Sequence, residues 1–190
     1  MAILGMVEFS GITRGIVASD SMIKRAQVEI LESGPIDPGK YLTAVTGDLA
    51  CVEESVAAAI ETAGAAVVYS LVLPNVHEAV PSILRGDRPP LERDAIAIVE
   101  TMSAAGIVHA ADAACKAADI TLVTLHLALH IGGKGFMVVL GDVADVEAAC
   151  EAGCRAAGQT LLDSSVVARP HEDFFSNLLN PMTLRKGVPQ

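Results

Sequence analysis

Apolar and polar positions along this chain predict short strands, each followed by an amphipathic helix, in two successive rounds. The apolar stripe of the second round recurs at three- and four-residue spacing and consists of Val108, Ala111, Cys115 and Ala118. It predicts a helix that ends near Ala118, and the corresponding helix of the first round ends near Ala26. Each helix follows a short apolar strand, predicted at residues 3–8 and 96–100.

The following segments of each round predict a hairpin, a second helix and a closing strand. The hairpin strands are predicted at residues 28–31 and 41–46, and again at 120–129 and 136–140. Asp48 and Asp142 precede second helices that are predicted to start near Ala50 and Ala144. The closing strands are predicted at residues 67–73 and 161–167. The predicted fold class is α/β (α+β, ferredoxin-like), with a small antiparallel sheet packed against helices in each round.

The two rounds are an internal repeat. Val7-Glu8 recurs as Val99-Glu100, 92 residues later (100 minus 8), and Gly47-Asp48 recurs as Gly141-Asp142, 94 residues later (142 minus 48). Matching order over most of each half predicts a duplicated domain. The predicted first domain spans residues 1–84, a linker with two prolines spans 85–94, the second domain spans 95–179, and a tail spans 180–190.

Composition and charge narrow the function classes. With 52% hydrophobic and 19% charged residues, the chain is predicted to fold rather than to be disordered. The formal charge of −10 has the wrong sign for neutralising phosphates, so nucleic acid is not an expected partner. No apolar run is long enough to span a bilayer and no signal peptide is recognisable, which favours a cytoplasmic protein. The four cysteines are expected to be small buried hydrophobes.

The candidates for chemistry are weak. His126 and His130 would share one face of the predicted strand, but without a cysteine or carboxylate at ligand spacing they make a poor metal site. The glycines of residues 132–135 lack the frame of a phosphate loop, and a hairpin tip explains them better. Glu8 and Glu100 are interpreted as structural partners rather than as an acid and a base tuned apart. Neither catalytic nor metal-binding residues are predicted, and the chain is not expected to be an enzyme.

The ordered motifs resemble those of the bacterial microcompartment shell domain, and both halves match. The matching motifs are Val-Glu at 99–100, the helix segment 111–120, the glycine-rich tip, Gly-Asp-Val at 141–143 and Arg-Pro-His-Glu at 169–172. The nearest likeness is to tandem-domain trimeric shell proteins of the propanediol-utilisation type. Val-Glu opens each half and His-Glu, at 77–78 and 171–172, closes it, so the arrangement is non-permuted.

This resemblance implies a structural shell subunit whose three copies form a pseudohexameric homotrimer. Such a trimer would tile a protein shell in the cytoplasm, contact other shell proteins edge to edge, and pass small metabolites through a central pore. The implied pore-lining residues are Pro35, Ile36, Asp37, Pro38, Gly39, His130, Ile131, Gly132 and Gly133. The implied tile-edge residues are Lys24, Lys116, Asn75, Arg169, His77 and His171. The two lysines have an alternative reading as solvated helix residues, and Asn75 replaces the family's arginine in the first domain.

Asp37 stands where some relatives place a cysteine that binds an iron–sulfur cluster, so no cofactor is expected at that position. Three such carboxylates roughly 8 Å apart would repel by about 2 kcal/mol per pair and attract cations. The pore would then favour neutral or cationic solutes over anions. Asp37 has an alternative role in capping the turn at Pro38. A ligand-binding or redox-carrier protein with its group at the trimer axis is the alternative function.

Overall fold

The computed structural model describes residues 3–87, 89 and 95–171. Part of the predicted linker, residues 172–179 of the predicted second domain and the tail at 180–190 lie outside the described residues. The first domain runs in the order strand, helix, two strands, helix, strand. Its elements are β1 (Ile3–Phe9), α1 (Ile12–Arg25), β2 (Glu29–Ile36), β3 (Lys40–Thr46), α2 (Leu49–Ala63), β4 (Val67–Pro74) and α3 (Ala79–Leu84). The second domain repeats this order with β5 (Ala95–Thr101), α4 (Ala104–Ala117), β6 (Thr121–Leu127), β7 (Gly135–Gly141), α5 (Val143–Ala157) and β8 (Leu161–Val167).

Each domain contains one four-stranded antiparallel sheet. The strand order is β2-β3-β1-β4 in the first sheet and β6-β7-β5-β8 in the second. Together with the βαββαβ element order this is the ferredoxin-like arrangement, so the predicted fold class is confirmed. Each edge hairpin carries a bulge at the same relative place, between Ile30 and Glu32 and between Leu122 and Thr124.

Alternation along β1 directs its side chains to two different cores. Val7 and Phe9 are fully buried with Met22 of α1 and Val52 of α2, in a core that belongs to the first domain alone. The opposite face of the same sheet belongs to a cluster that spans both domains. That cluster joins Leu4, Met6, Leu42 and Ala44 to Ala104, Ala105 and Val108 of α4. The prediction of a sheet packed against the helices of its own round is therefore incomplete, because α4 of the second domain covers the second face of the first sheet.

Several predicted boundaries need correction. β2 is longer than predicted and includes Pro35 and Ile36, which pair with Tyr41 and Lys40, because the hairpin ladder continues almost to the turn. β6 ends at Leu127, since the backbone turns to positive φ at Ala128. His126 and His130 therefore do not share a strand face. The sequence pattern did not predict α3 at all.

Smaller predictions have mixed outcomes. The second helices begin at Leu49 and Val143, one residue before the predicted starts, and neither Asp48 nor Asp142 makes a side-chain capping hydrogen bond. Cys115 and Cys150 are buried, whereas Cys51 and Cys154 are only partly buried, so the expectation of four buried thiols is wrong for two of them. None of the described helices has the length and apolar character that crossing a bilayer requires.

Candidate functional site

The joint between the two domains centres on a buried carboxylate. Glu8 has no exposed surface, and its Oε1 accepts a hydrogen bond from Lys40 Nζ at 2.5 Å. Its Oε2 accepts from Ser103 Oγ at 2.6 Å and from the Ala105 N–H at 3.3 Å. Lys40 also donates to the carbonyl of Met102 at 3.0 Å. A buried charge needs such partners, and the N-terminus of α4 favours a negative one.

Ser103 links this carboxylate to the helix. It is the N-cap of α4, where its Oγ accepts from the Gly106 N–H at 2.9 Å while donating to Glu8. One hydroxyl thus caps α4 and ties it to the first domain. The interpretation of Glu8 as a structural partner is confirmed by these contacts.

The second domain carries the same pair in an open setting. Glu100 and Lys134 correspond to Glu8 and Lys40, and Lys134 Nζ donates to Glu100 Oε1 at 2.8 Å. Their side chains are 35% and 45% exposed, against 0% and 14% for the first pair. The pair has the same chemistry in both domains, but among the described residues only the first pair is covered by a helix terminus.

The first helix and the strand that follows it differ between the two domains in the same way. Five apolar residues of the first domain are more than a third exposed although their counterparts, 92 residues later, are buried. These pairs are Ile12 (43%) and Ala104 (0%), Ile16 (54%) and Val108 (0%), Ile23 (47%) and Cys115 (6%), Ile30 (37%) and Leu122 (3%), and Leu31 (53%) and Val123 (8%). The α4 face is covered by the first domain, and the equivalent α1 face has no cover within the described residues.

A second polar contact crosses the joint between β4 and α4. The hydroxyl of Tyr69 lies 2.9 Å from Nδ1 of His109. Burial lowers the pKa of His109, an effect that Asp112 opposes and Lys116 reinforces, and burial raises the pKa of Tyr69. A neutral imidazole can therefore accept the hydrogen bond of the tyrosine hydroxyl.

The segment after β4 also reaches over the second domain. The His77 N–H donates to Asp112 Oδ1 at 2.8 Å, and Lys116 Nζ donates to Asp112 Oδ2 at 2.6 Å. Val80 of α3 is completely buried, because α3 packs on β6 and α4. His77 and Lys116, both predicted at the tile edge, thus lie next to this joint.

The two turns predicted to line a pore touch each other. Asp37 Oδ2 accepts a hydrogen bond from the His130 N–H at 2.6 Å. This carboxylate oxygen therefore binds the turn of the other domain rather than being isolated or capping its own turn. A Cβ added to Gly133 would lie 2.5 Å from the Asp37 carbonyl oxygen, and Gly133 has φ of 82°. Only glycine fits both conditions, so this residue allows the turns to interlock. The turn of the first domain is reduced to residues 37–39, between β2 and β3.

The remaining predicted pore residues occupy different settings. Ile36 is buried in β2, while Pro35 next to it is exposed. Ile131 and Gly132 lie in the turn before β7, and His130 there has φ of 63°. The prediction that residues 132–135 form a hairpin tip rather than a phosphate loop is confirmed by this turn, apart from Gly135, which opens β7.

The other predicted tile-edge residues lie on the surface. Lys24 is 74% exposed at the side chain and pairs with Asp20 at 2.5 Å. Asn75, with φ of 82°, occupies the turn after β4, and Arg169 and His171 are exposed beyond β8. The structure therefore separates Lys24, which is open, from Lys116, which is next to the domain joint.

The cysteines do not form a ligand cluster with other side chains in the described part of the chain. Burial raises the pKa of Cys115 to about 12, and burial followed by the charge of Cys154 raises the pKa of Cys150. Both therefore favour the neutral thiol over the thiolate that metals and clusters bind. No group of three or more potential metal ligands occurs among residues 3–87, 89 and 95–171.

Three functional residues were missed by the sequence reasoning. These residues are Lys40, Ser103 and His109, and no motif in the sequence marks any of them. The repeat itself contained a signal, because Glu8-Lys40 and Glu100-Lys134 recur together. The partners of Glu8 on α4 lie about a hundred residues away in sequence, and only tertiary contact reveals them.

The sequence matches the family model described as BMC domain twice, at residues 4–76 and 95–170. The chain is 42% identical over 178 residues to a protein of Citrobacter freundii named bacterial microcompartment shell protein PduT, covering 93% of this chain and 97% of that protein. It is also 40% identical over 84 residues to carboxysome shell protein CcmK2 of Synechococcus elongatus, covering 42% of this chain and 79% of that protein.

Among solved structures, a microcompartment protein from Desulfitobacterium hafniense superposes with a TM-score of 0.77 at 39% sequence identity. The match covers 93% of this chain and 99% of that one. All three of these proteins are named as shell or microcompartment proteins, and none of the three names points to a redox carrier.

Proposed function

Because this chain belongs to the bacterial microcompartment shell-protein family and is a structural shell subunit rather than an enzyme, we propose that three copies close into a six-domain ring. The ring would be a homotrimer that tiles the shell against other shell proteins. Its centre would be a passage for small metabolites, lined by the two interlocked turns at 37–39 and 130–133.

The observation that carries this proposal is the difference in exposure between α1 and α4. The first domain covers α4, whereas the equivalent α1 face presents Ile12, Ile16 and Ile23 to solvent. The joint pairs two different surfaces, one from each domain, so it is heterologous and leaves one surface of each kind unpaired in every chain. Repeating the same joint between chains closes a ring when the rotation from one domain to the next divides a full turn. Six equivalent domains require three chains, and each chain then contributes one internal and one external joint.

The second domain also carries the surface that would cover α1. In the first domain, Leu4 and Ala44 belong to the cluster that contains α4. Their counterparts Ile96 and Val138 form an apolar cluster with Val123 and Leu140 on the corresponding face of the second sheet. An apolar cluster on β5 and β7 therefore has the same position as the face that covers α4. Its four residues are already only 1–8% exposed, so the gain in burial would come from the open face of α1.

Oligomeric mass tests the proposal. Sedimentation equilibrium should give three times the chain mass of 19.6 kDa. Ile16→Asp, on the open α1 face, should yield monomers because a charge would be buried in the joint. Ile60→Asp is the matched control, since Ile60 is 41% exposed on α2 and its counterpart Cys154 is also partly exposed. A monomeric parent chain, or a trimeric Ile16→Asp variant, would contradict the ring.

The passage is proposed to favour neutral and cationic solutes. Each of three chains would bring one Asp37 to the axis, and the His130 N–H holds one oxygen of each carboxylate in place. Rings of carboxylates select against anions in channels. Asp37→Asn should raise anion flux across assembled shells, measured with an anionic dye and compared with a neutral dye of equal size. Equal anion flux in both proteins would contradict the role of Asp37.

The passage is also proposed to hold no iron–sulfur cluster. Such clusters bind thiolates, and the position used by some relatives carries a carboxylate in this chain. Anaerobically purified protein should be colourless, with no absorption band in the visible range. A brown protein with iron and sulfide in the trimer would contradict this expectation.

The outer edge of the ring is proposed to meet other shell proteins through Lys24, Arg169 and His171. Lys24 is open at the surface, and Arg169 and His171 are exposed beyond β8. Lys116, Asn75 and His77 belong to the same proposed edge. Lys24→Ala should leave the trimer intact but reduce the formation of tiled layers of trimers, as seen by electron microscopy. Unchanged layers would contradict a role for Lys24 at the edge.

A further inference from the structure

The pair Glu100–Lys134 is an open duplicate of the buried anchor at the domain joint. We propose that, in the ring of three chains, Glu100 of one chain binds the N-terminus of α1 of the neighbouring chain, around Gly11 and Thr13. This inference rests on the proposed ring and identifies a contact, called the fastening below, between Glu100 and the α1 N-terminus of the neighbouring chain. The occupant of this surface is a second copy of this chain.

The internal joint supplies the geometry. Glu8 binds α4 through the Ser103 hydroxyl at 2.6 Å and the Ala105 N–H at 3.3 Å. Ser103 and Ala105 correspond to Gly11 and Thr13, 92 residues earlier. Repeating the joint between chains therefore places Glu100 within reach of the Thr13 N–H, and it covers a carboxylate that is now 35% exposed.

Lys134 has a corresponding second acceptor. In the internal joint Lys40 bridges Glu8 and the carbonyl of Met102. The counterpart of Met102 is Ser10, which precedes α1 and is exposed. Lys134 should therefore bridge Glu100 to the Ser10 carbonyl of the neighbouring chain, so that both charges of the pair contact the same helix start.

The two joints differ at the N-cap. Ser103 caps α4, whereas the N-cap of α1 is Gly11, which has no side chain to accept from the first turn or to donate to Glu100. The backbone angles are alike, with φ and ψ of −136° and 131° at Ser103 and −152° and 144° at Gly11. A Cβ at Gly11 would meet nothing within 4 Å. The joint between chains thus lacks one hydroxyl that the joint within the chain has.

This difference makes the external joint the weaker of the two and identifies how to strengthen it. Glu100→Gln should increase the trimer dissociation constant by about tenfold per joint, because it removes a charged acceptor at a helix N-terminus. Gly11→Ser should decrease it about fivefold per joint, since a serine there caps α1 and donates to Glu100. Sedimentation equilibrium over a dilution series measures both.

Matched variants separate the fastening from general effects. Gly11→Ala adds the same Cβ without a hydroxyl and should bind less tightly than Gly11→Ser. Glu147→Gln removes an exposed charge on α5 and should leave dissociation unchanged. Circular dichroism and urea unfolding at a concentration where each variant is monomeric show that it is folded.

The outcomes distinguish this inference from the proposed ring. The fastening is overturned if Glu100→Gln leaves the trimer dissociation constant unchanged, or if the Gly11→Ser trimer binds no tighter than the Gly11→Ala trimer. Either result would leave the ring itself intact. A parent chain that sediments as a monomer overturns the ring itself. Weaker binding for Glu100→Gln together with tighter binding for Gly11→Ser supports both.

Discussion

The two domains fill the contact between the first helix and the sheet with opposite arrangements of a large and a small residue. In the first domain Tyr41 of β3 packs over Gly15 of α1, where an added Cβ would lie 2.4 Å from the Tyr41 Cβ. In the second domain the large residue is Ile107 on α4 and the small one is Gly135 on β7, with an equally short distance of 2.4 Å. The volume is filled in both, but the residue that fills it sits on the other element.

A neighbouring contact differs in polarity. Ser19 of α1 and Thr43 of β3 are buried and lie 2.6 Å apart through their hydroxyls, and Ser19 also donates to the Gly15 carbonyl. Their counterparts in the second domain are Ala111 and Met137, both fully buried and apolar. One fold thus accommodates a hydrogen-bonded pair or a thioether at the same place, provided each residue has a suitable partner.

This comparison shows that the residue pair, rather than the single residue, is the unit of packing. A residue taken from one domain is compatible with the other only together with its partner. The variants below exchange or disrupt such pairs.

The largest effect is expected for Gly15→Ile, which gives α1 the residue of α4 while Tyr41 stays in place. Its Cβ would clash with the first side-chain carbon of Tyr41, which cannot move without the strand. We expect the free energy of unfolding to fall by at least about 3 kcal/mol, measured by urea denaturation.

The double variant Gly15→Ile with Tyr41→Gly tests the same pair. It recreates the pairing of the second domain and should recover most of the lost stability. Recovery should be incomplete, because Tyr41 also hydrogen-bonds Ser33 at 3.1 Å. If the double variant were no more stable than Gly15→Ile alone, the two contacts would not be equivalent.

A smaller effect is expected for Thr43→Val, which keeps the shape but removes the hydroxyl that meets Ser19. We expect a loss of about 1 kcal/mol in unfolding free energy. Combining it with Ser19→Ala should cost less than the two single changes together, because the double variant approaches the apolar pairing of the second domain. Strict additivity in this thermodynamic cycle would argue against a coupled pair.

The smallest effect concerns pH and separates the internal joint from the external one. His109 and Tyr69 have Val17 and Asp163 as counterparts, so the pair occurs only in the joint within the chain. Because burial lowers the pKa of His109 in the fold, the unfolded chain takes up the proton first as pH falls below the ordinary value. Stability is then fully present above about pH 6.5 and declines below it.

The magnitude should be modest, since Asp112 opposes the burial effect and the ring is partly exposed. The groups facing His109 are Tyr69, Asp112 and Lys116. Urea unfolding at about pH 7.5 and about pH 5 should show that the free energy of unfolding falls more at the lower pH in the parent chain than in His109→Gln. An equal loss in both would assign the acid sensitivity to other groups.

Much of the fold followed from the sequence because it is encoded in local patterns. The helices end within a residue of Ala26 and Ala118, as the apolar stripe predicts. Gly-Asp at 47–48 and 141–142 marks the start of α2 and α5. The repeat predicted equal topology in both halves, and the strand orders agree.

The errors occur where tertiary contacts replace local signals. The first hairpin strand is predicted to end at residue 31, yet β2 continues through Gly34 and Pro35 because β3 supplies the ladder. Residues 128–129 fall in the strand predicted at 120–129, but the backbone turns there and His130 meets Asp37 of the other domain. α3 is short, and its one completely buried residue, Val80, is buried by the other domain.

The sequence by itself determined the duplication, the order of elements and the repeated Glu-Lys pair, because these are properties of residue type and spacing. Only the tertiary structure decided that Glu8 is buried on α4 while Glu100 is open, and that α1 is exposed while α4 is covered. The reason is physical: burial depends on which domain lies against a surface, and two nearly identical sequence patterns have different neighbours at the middle and at the ends of one chain.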